Sequence, residues 1–217
     1  MTLKIKAYSD FVCAWCFVGK FPLAEAIKDK DVEIEWMPYE LSPSPGPTVD
    51  IKNDPVKSGG IKSIIFPIAK ELGVTMNLPP VSPNPYTHLA FEGYQYAKAH
   101  GKGGAYIHRV FGAYYQEEKD IGKVSVLISL AAELGFDEME FKKALETRRY
   151  QEAHQKALHH AYYESGVRAV PTYIIGNQVL QGFHRKEAIE MAIQKELDTS
   201  DLSKTEGESC RMDDHCL

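Results

Sequence analysis

The 217-residue chain contains no apolar run approaching the roughly 20 residues of a membrane-spanning helix, so no membrane partner is expected. It also lacks an excess of positive charge. With 25 Lys and Arg against 30 Asp and Glu, the formal charge is -5, which argues against a surface built to neutralise phosphates, and no nucleic acid partner is expected. The beginning of the chain lacks the continuous apolar stretch of a secretory leader: Met1-Thr2-Leu3-Lys4-Ile5-Lys6 alternates, which predicts a first strand and a cytoplasmic location. Cysteine is scarce, with four residues in two local pairs, 13 with 16 and 210 with 216. Thiols in a reducing compartment make poor staples, so this pairing points to redox work or to metal binding. No period repeats along the chain, which excludes a solenoid. What is present, 44% hydrophobic and 25% charged residues, is the composition of a globular protein long enough for one domain carrying an insertion or for two small domains.

Leu3, Ile5 and Ala7 alternate with Lys4, Lys6 and Tyr8, the period of a strand. From Cys13 to about Lys28 the spacing becomes helical, with Ser9 or Asp10 as candidate cap and Gly19 and Pro22 suggesting a kink. Residues 32–37 alternate again and stop at Pro38. Leu-Ser-Pro-Ser-Pro-Gly-Pro-Thr over 41–48 can sustain neither helix nor central strand, and marks a domain boundary or entrance loop. About a hundred residues of helical pattern follow. Ile61, Ile64, Ile65, Ile68, Ala69 and Leu72 form one stripe with a kink expected at Pro67, and further helices are predicted over 87–99, 105–116, 124–134, 136–145 with Asp137 as cap, and 150–165. Thr172-Tyr173-Ile174-Ile175, a Gly176-Asn177 turn and Gln178-Val179-Leu180 read as a hairpin, and 185–196 as a last helix. Without the helical block, the chain is a strand-helix-strand unit joined to a strand-strand-helix unit. The expected division is an α/β domain from 1–41 and 167–197, a helical insertion over 42–166 with its own small core, and a flexible polar tail over 198–217 carrying the second cysteine pair.

Tyr8-Ser9-Asp10-Phe11-Val12-Cys13-Ala14-Trp15-Cys16 places two thiols at a strand-to-helix junction. There the first sulfur meets unpaired N–H groups and the positive end of the helix dipole, which favours its thiolate, while the second is held one turn along and shielded. Cys13 is therefore the candidate nucleophile and Cys16 the resolving thiol, working through a mixed disulfide on Cys13. Asp10 could oppose the thiolate or serve the cap. Trp15 could be a substrate platform or simple packing. The competing reading is zinc: four thiols, with His215 as a further ligand, satisfy a tetrahedral site on paper, but a spacing of five within the tail argues against it and no metal is expected. His154, His159 and His160 lack the i, i+4 spacing of a ligand pair and are read as solvated or packing residues. Tyr94, Tyr96, Tyr106, Tyr114 and Tyr115 are expected in the core or in groove walls; Glu40 could be a buried carboxylate near the thiols or face water, and the latter is the expectation.

Three separated motifs in order, Ser-Asp-Phe-Val-Cys-Ala-Trp-Cys, Trp-Met-Pro-Tyr-Glu-Leu, and Gly166-Val167-Arg168-Ala169-Val170-Pro171-Thr172, resemble the DsbA-like thioredoxin-fold family over residues 2 to about 196. Within that family the similarity is to the FrnE-type cytosolic dithiol oxidoreductases. The resemblance implies a thioredoxin fold, a mixed central sheet flanked by helices, interrupted by the helical domain. It also implies a thiol-disulfide oxidoreductase with Cys13 and Cys16 as the redox pair, a cis bond between Val170 and Pro171 facing them, and the Val170 backbone pairing with an extended substrate. By base rate alone an X-Pro bond is trans. The substrates implied are protein or small-molecule thiols and disulfides, with no cofactor beyond the cysteine pair; glutathione is a candidate reductant, and a homodimer is compatible with the family. Ala14-Trp15 stands where relatives often carry Pro-Trp or Pro-His, so strong-oxidant behaviour is not carried over. The same interrupted fold also resembles 2-hydroxychromene-2-carboxylate isomerases and kappa-type glutathione transferases, which usually carry serine where Cys13 stands. A non-catalytic binding module is the third reading.

Some FrnE-type proteins are similar in carrying a second cysteine pair near the C-terminus, which implies an accessory dithiol formed here by Cys210 and Cys216. An extended chain from Leu197 to Cys210 spans roughly 45 Å, enough for exchange with Cys13.

Overall fold

A computed structural model describes residues 2–78 and 81–209, and side chains as far as residue 199 outside that gap. The two alternating runs form β1 (Leu3–Ser9) and β2 (Val32–Pro38), joined through α1 (Ala14–Ile27). They pair in parallel with Ile5 opposite Ile34 and Ser9 opposite Pro38. The hairpin strands β3 (Thr172–Ile175) and β4 (Gln178–Gln181) turn at Gly176-Asn177, and β3 lies antiparallel to β1 with Tyr8 opposite Thr172. The sheet order is β2-β1-β3-β4, the mixed arrangement that the resemblance implies. Alternation in β1 sends Ile5 and Ala7 into the main core and Tyr8 into a smaller cluster with Met37, Ala161 and Val167.

The block between β2 and β3 contains α2 (Pro55–Gly60), a π-helical turn (Ile61–Ile65), α3 (Phe66–Glu71), α4 (His88–Ala99), α5 (Gly103–Tyr115), α6 (Val124–Glu133), α7 (Glu138–Glu146), α8 (Gln151–His159) and a second π-helical turn (His160–Glu164). Asp137 caps α7 as expected, accepting from the Glu140 N–H at 2.8 Å. The five tyrosines expected inside are all buried. The isoleucine stripe is not continuous, because Ile64 is 54% exposed. The Phe66 N–H bonds Ile61 O, one residue further back than in an α-helix, and Pro67 offers no N–H to the ladder; the wider turn rotates the stripe away from the core.

Two further expectations are corrected. Among the described residues the insertion has no separate core: Phe11, beside the dithiol, packs 4.6 Å from Phe91 of α4 and 5.2 Å from Phe111 of α5, within one buried cluster that runs from sheet to helices. The last helix, α9 (Lys186–Ser209), does not stop near Glu196. Residues 198–209 contain no proline, and the Thr199 hydroxyl bonds Lys195 O at 2.8 Å across the predicted boundary. Twelve helical residues rise about 18 Å, which shortens the reach drawn from an extended tail. Cys210 and Cys216 lie outside the described residues.

Candidate redox site

The turn between β1 and α1 places both thiols at the carboxyl end of the central strands. Neither Ser9 nor Asp10 caps the helix. Cys13 does so itself, with extended backbone (φ −88°, ψ 109°) and a sulfur that accepts the Cys16 N–H at 3.2 Å. Asp10 acts one step earlier, its carbonyl accepting the Cys13 N–H at 3.1 Å and its carboxylate accepting the Leu41 N–H at 2.7 Å. Cys13 is 7% and Cys16 2% exposed, and both are free thiols. The Cys13 thiol also donates to the Val170 carbonyl at 3.6 Å, and the Val170–Pro171 bond is cis. Ser44–Pro45 and Ser82–Pro83 are cis as well, which the sequence reading did not anticipate. Trp15 is half-buried against Phe183, ring centroids 5.8 Å apart. Gly19, one turn beyond Cys16, leaves room for the Tyr173 hydroxyl and the Pro171 ring, both of which a β-carbon would crowd.

Burial is the main electrostatic influence here. It pushes the Cys16 thiol well above the ordinary range, with the neighbouring Cys13 adding to the effect. It pushes the Asp10 carboxyl up to about 7, against the hydrogen bonds from Leu41 and Thr87, and Glu40 adds to the rise. The phenols of Tyr115 and Tyr173 are held above their usual range by burial, with the charges of both cysteines contributing.

Glu40 is the residue here that the sequence reading misplaced. Glu40 does not face water, and of the two readings of His154 the packing one holds: both are buried, with His154 Nε2 2.5 Å from Glu40 Oε1. Tyr162 donates its hydroxyl to Glu40 O, and His154 stacks on Phe91 at 5.6 Å. A signal was present, since His154 lies three and seven residues before Ala157 and Ala161 on one helical face. The pair borders a cavity of about 270 Å³ together with His88 and the Glu92–Arg148 ion pair. His159 and His160 sit nearer the surface, both within reach of Glu164. Among the described residues, no group of three or more His, Cys, Asp or Glu is arranged to hold a metal ion.

The sequence matches the DSBA-like thioredoxin domain over residues 4–194. The chain belongs to this family. It is 53% identical over 196 residues to the uncharacterised protein YwbO of Bacillus subtilis (strain 168), covering 90% of this chain and 98% of that one. Its fold is similar to that of a 2-hydroxychromene-2-carboxylate isomerase (TM-score 0.75, 21% identity, 92% of this chain and 98% of the other). It is also similar to the cytosolic disulfide reductase DsbM from Pseudomonas aeruginosa (TM-score 0.67, 18% identity, 91% and 100%), whose structure is known with glutathione as well. At these identities the two structures speak for the DsbA-like thioredoxin fold alone. No helix among the described residues is long and apolar enough to cross a membrane.

Proposed function

We propose that the protein is a cytoplasmic thiol-disulfide oxidoreductase in which Cys13 exchanges with substrate and Cys16 resolves the mixed disulfide. The observation that carries this reading is the cap itself: Cys13 ends the strand-to-helix turn with its sulfur on the Cys16 N–H, one helical turn from the second thiol and against Val170. When a substrate disulfide is reduced, the Cys13 thiolate attacks one sulfur and releases the other substrate sulfur as thiolate. Cys16 then attacks Cys13, closing the protein disulfide and releasing the second substrate thiol. The reverse sequence oxidises two substrate thiols. Val170, preceding Pro171, is read as the backbone partner of an extended substrate, Trp15 as a wall of its groove, and glutathione as a reductant of the protein disulfide.

Insulin reduction and oxidative refolding of a reduced protein test the reading. Cys13→Ala is expected to fall to background in both, and Cys16→Ala to accumulate mixed disulfides on Cys13. Glutathione-dependent isomerisation surviving in Cys13→Ala would overturn it in favour of the isomerase. The reduction potential of the Cys13–Cys16 couple fixes the direction of electron flow. Exchange with Cys210 and Cys216 is read from the sequence alone, and a Cys13–Cys210 or Cys13–Cys216 disulfide trapped in Cys16→Ala is its test.

A further inference from the structure

Buried polar atoms in folded proteins almost always have a hydrogen-bond partner, so an exception calls for a physical reason. Among the described residues the exceptions include Ser9 Oγ and Asp10 Oδ1, in the stretch that leads from β1 to the dithiol, and the Tyr115 hydroxyl. Ser9 ends β1 on the same side of the strand as the core residues Ile5 and Ala7, and its hydroxyl and the Asp10 N–H both face the Cys16 sulfur. Tyr115 comes from α5 of the insertion. Its ring packs on Phe17, the residue after Cys16, at 4.8 Å between centroids, and it lies close enough to both sulfurs to feel their charge. A hydroxyl left without an acceptor costs free energy in every folded molecule, unless some state of the site supplies the acceptor.

We infer that the Ser9 and Tyr115 hydroxyls are hydrogen-bond donors to the thiolate that Cys16 becomes when the Cys13–Cys16 disulfide opens, so that the helical insertion supplies one wall of the redox centre. The inference rests on the oxidoreductase reading above. In the step concerned, an incoming thiolate attacks Cys13 Sγ, the new bond joins substrate sulfur to Cys13, and the Cys13–Cys16 bond breaks with its electron pair leaving on Cys16 Sγ. A second substrate thiolate attacks the substrate sulfur of the mixed disulfide and expels Cys13 as thiolate. Two substrate thiols are oxidised to one disulfide, the protein disulfide is reduced to two thiols, and the protons released by the substrates are recovered on Cys13 and Cys16. Negative charge on Cys16 exists only after the bond begins to break, deep in an apolar site where water cannot solvate it. Donors held inside the enclosure, within the field of that atom, lower the barrier with little reorganisation. Because burial keeps the Cys16 thiol protonated at neutral pH, they act on the rate of opening far more than on the resting dithiol.

The test uses the full chain with Cys210→Ser and Cys216→Ser, so that Cys13 and Cys16 are the reporting thiols. Opening of the oxidised protein by glutathione is followed by tryptophan fluorescence in wild type, Ser9→Ala, Ser9→Thr and Tyr115→Phe. The phenylalanine keeps the packing on Phe17 and removes only the hydroxyl. Each loss of a donor is expected to slow opening by roughly tenfold, with Ser9→Thr retaining most of the rate. In a Cys13→Ala background, thiolate absorbance is expected to show Cys16 titrating about one pH unit higher after each loss, a change that weakened packing alone does not produce. Asp10, Glu40, Tyr114, Tyr173 and Cys13 are the other titratable groups facing this place, so each variant is compared with wild type at every pH. Unchanged opening rates and an unchanged Cys16 titration in both Ser9→Ala and Tyr115→Phe overturn the inference while leaving the dithiol chemistry intact. A wild-type disulfide that no thiol opens would instead overturn the oxidoreductase reading itself.

Discussion

Asp10→Asn should stabilise the protein in mild alkali and lose that advantage in acid. Asp10 is 1% exposed, and burial lifts its carboxyl from 3.8 to about 7. Between those values the folded chain holds a proton that the unfolded chain has released, so unfolding is favoured as pH rises. The penalty is absent below pH 4, grows through the window, and is complete above pH 7. Roughly three pH units at about 1.4 kcal/mol each set a ceiling near 4 kcal/mol. Asparagine removes the charge and keeps an oxygen for the Leu41 N–H, but its amide nitrogen arrives where Asp10 Oδ1 has no partner, at a cost of about 1–3 kcal/mol. The net gain expected at pH 8 is about 1–3 kcal/mol, falling to zero or below at pH 5. Urea unfolding midpoints of both proteins at each pH measure it. His108, whose pKa burial lowers to about 4, loses stability in the opposite direction as pH falls, and it cancels in the difference between the two proteins. A difference that is the same at pH 5 and pH 8, or an Asn variant that weakens as pH rises, refutes the reasoning.

Other substitutions probe the packing that holds the site. Gly93→Ala in α4 would drive its methyl into the Tyr106 hydroxyl and to 2.9 Å from the Phe141 ring, and about 1–3 kcal/mol of stability should be lost by thermal or urea unfolding. Arg148→Ala strands Glu92, which is buried and held through both the Nε and a terminal nitrogen of the guanidinium; because Arg148 itself is partly exposed, the loss should sit near the low end of the range for a broken buried pair, about 3 kcal/mol in the same assay. Gly19→Ala would bring a methyl within 2.8 Å of the Tyr173 hydroxyl and 3.4 Å of the Pro171 ring, so slower disulfide exchange is expected with a smaller fall in stability than for Gly93→Ala.

The sheet was legible because its signals are local. Period-two runs at 3–7 and 32–37 and a Gly-Asn turn specify strands and a hairpin whatever else the chain does, and two cysteines spaced by two residues mark the junction between strand and helix. The cis bond at Pro171 came only from the family resemblance, since composition favours trans. The environment of the dithiol was not legible, because it is made by residues far apart in sequence. Glu40 and His154 meet across 114 positions, and nothing near Glu40 announces that α8 will cover it. The π-helical turns escaped for a different reason: a single wide turn shifts a stripe without changing its composition.

The same separation in sequence explains why the α/β part and the insertion share one buried cluster. Phe11 stands two residues before Cys13 and is held between rings of α4 and α5, while Phe17 follows Cys16 and packs on α5 through Tyr115. The C-x-x-C turn is thus anchored at both ends by the insertion, while the strands support it through their backbone and through Ser9 and Tyr173. A thiol at an ordinary strand-to-helix turn would be open to water; here both sulfurs are nearly enclosed. Burial disfavours charge on Cys16 and on Asp10 alike, so whatever stabilises a thiolate must come from dipoles placed inside the enclosure. The helices that exclude water from the dithiol are also those that carry Tyr115 to it, which ties the redox chemistry of the thioredoxin-like unit to the side chains of its insertion.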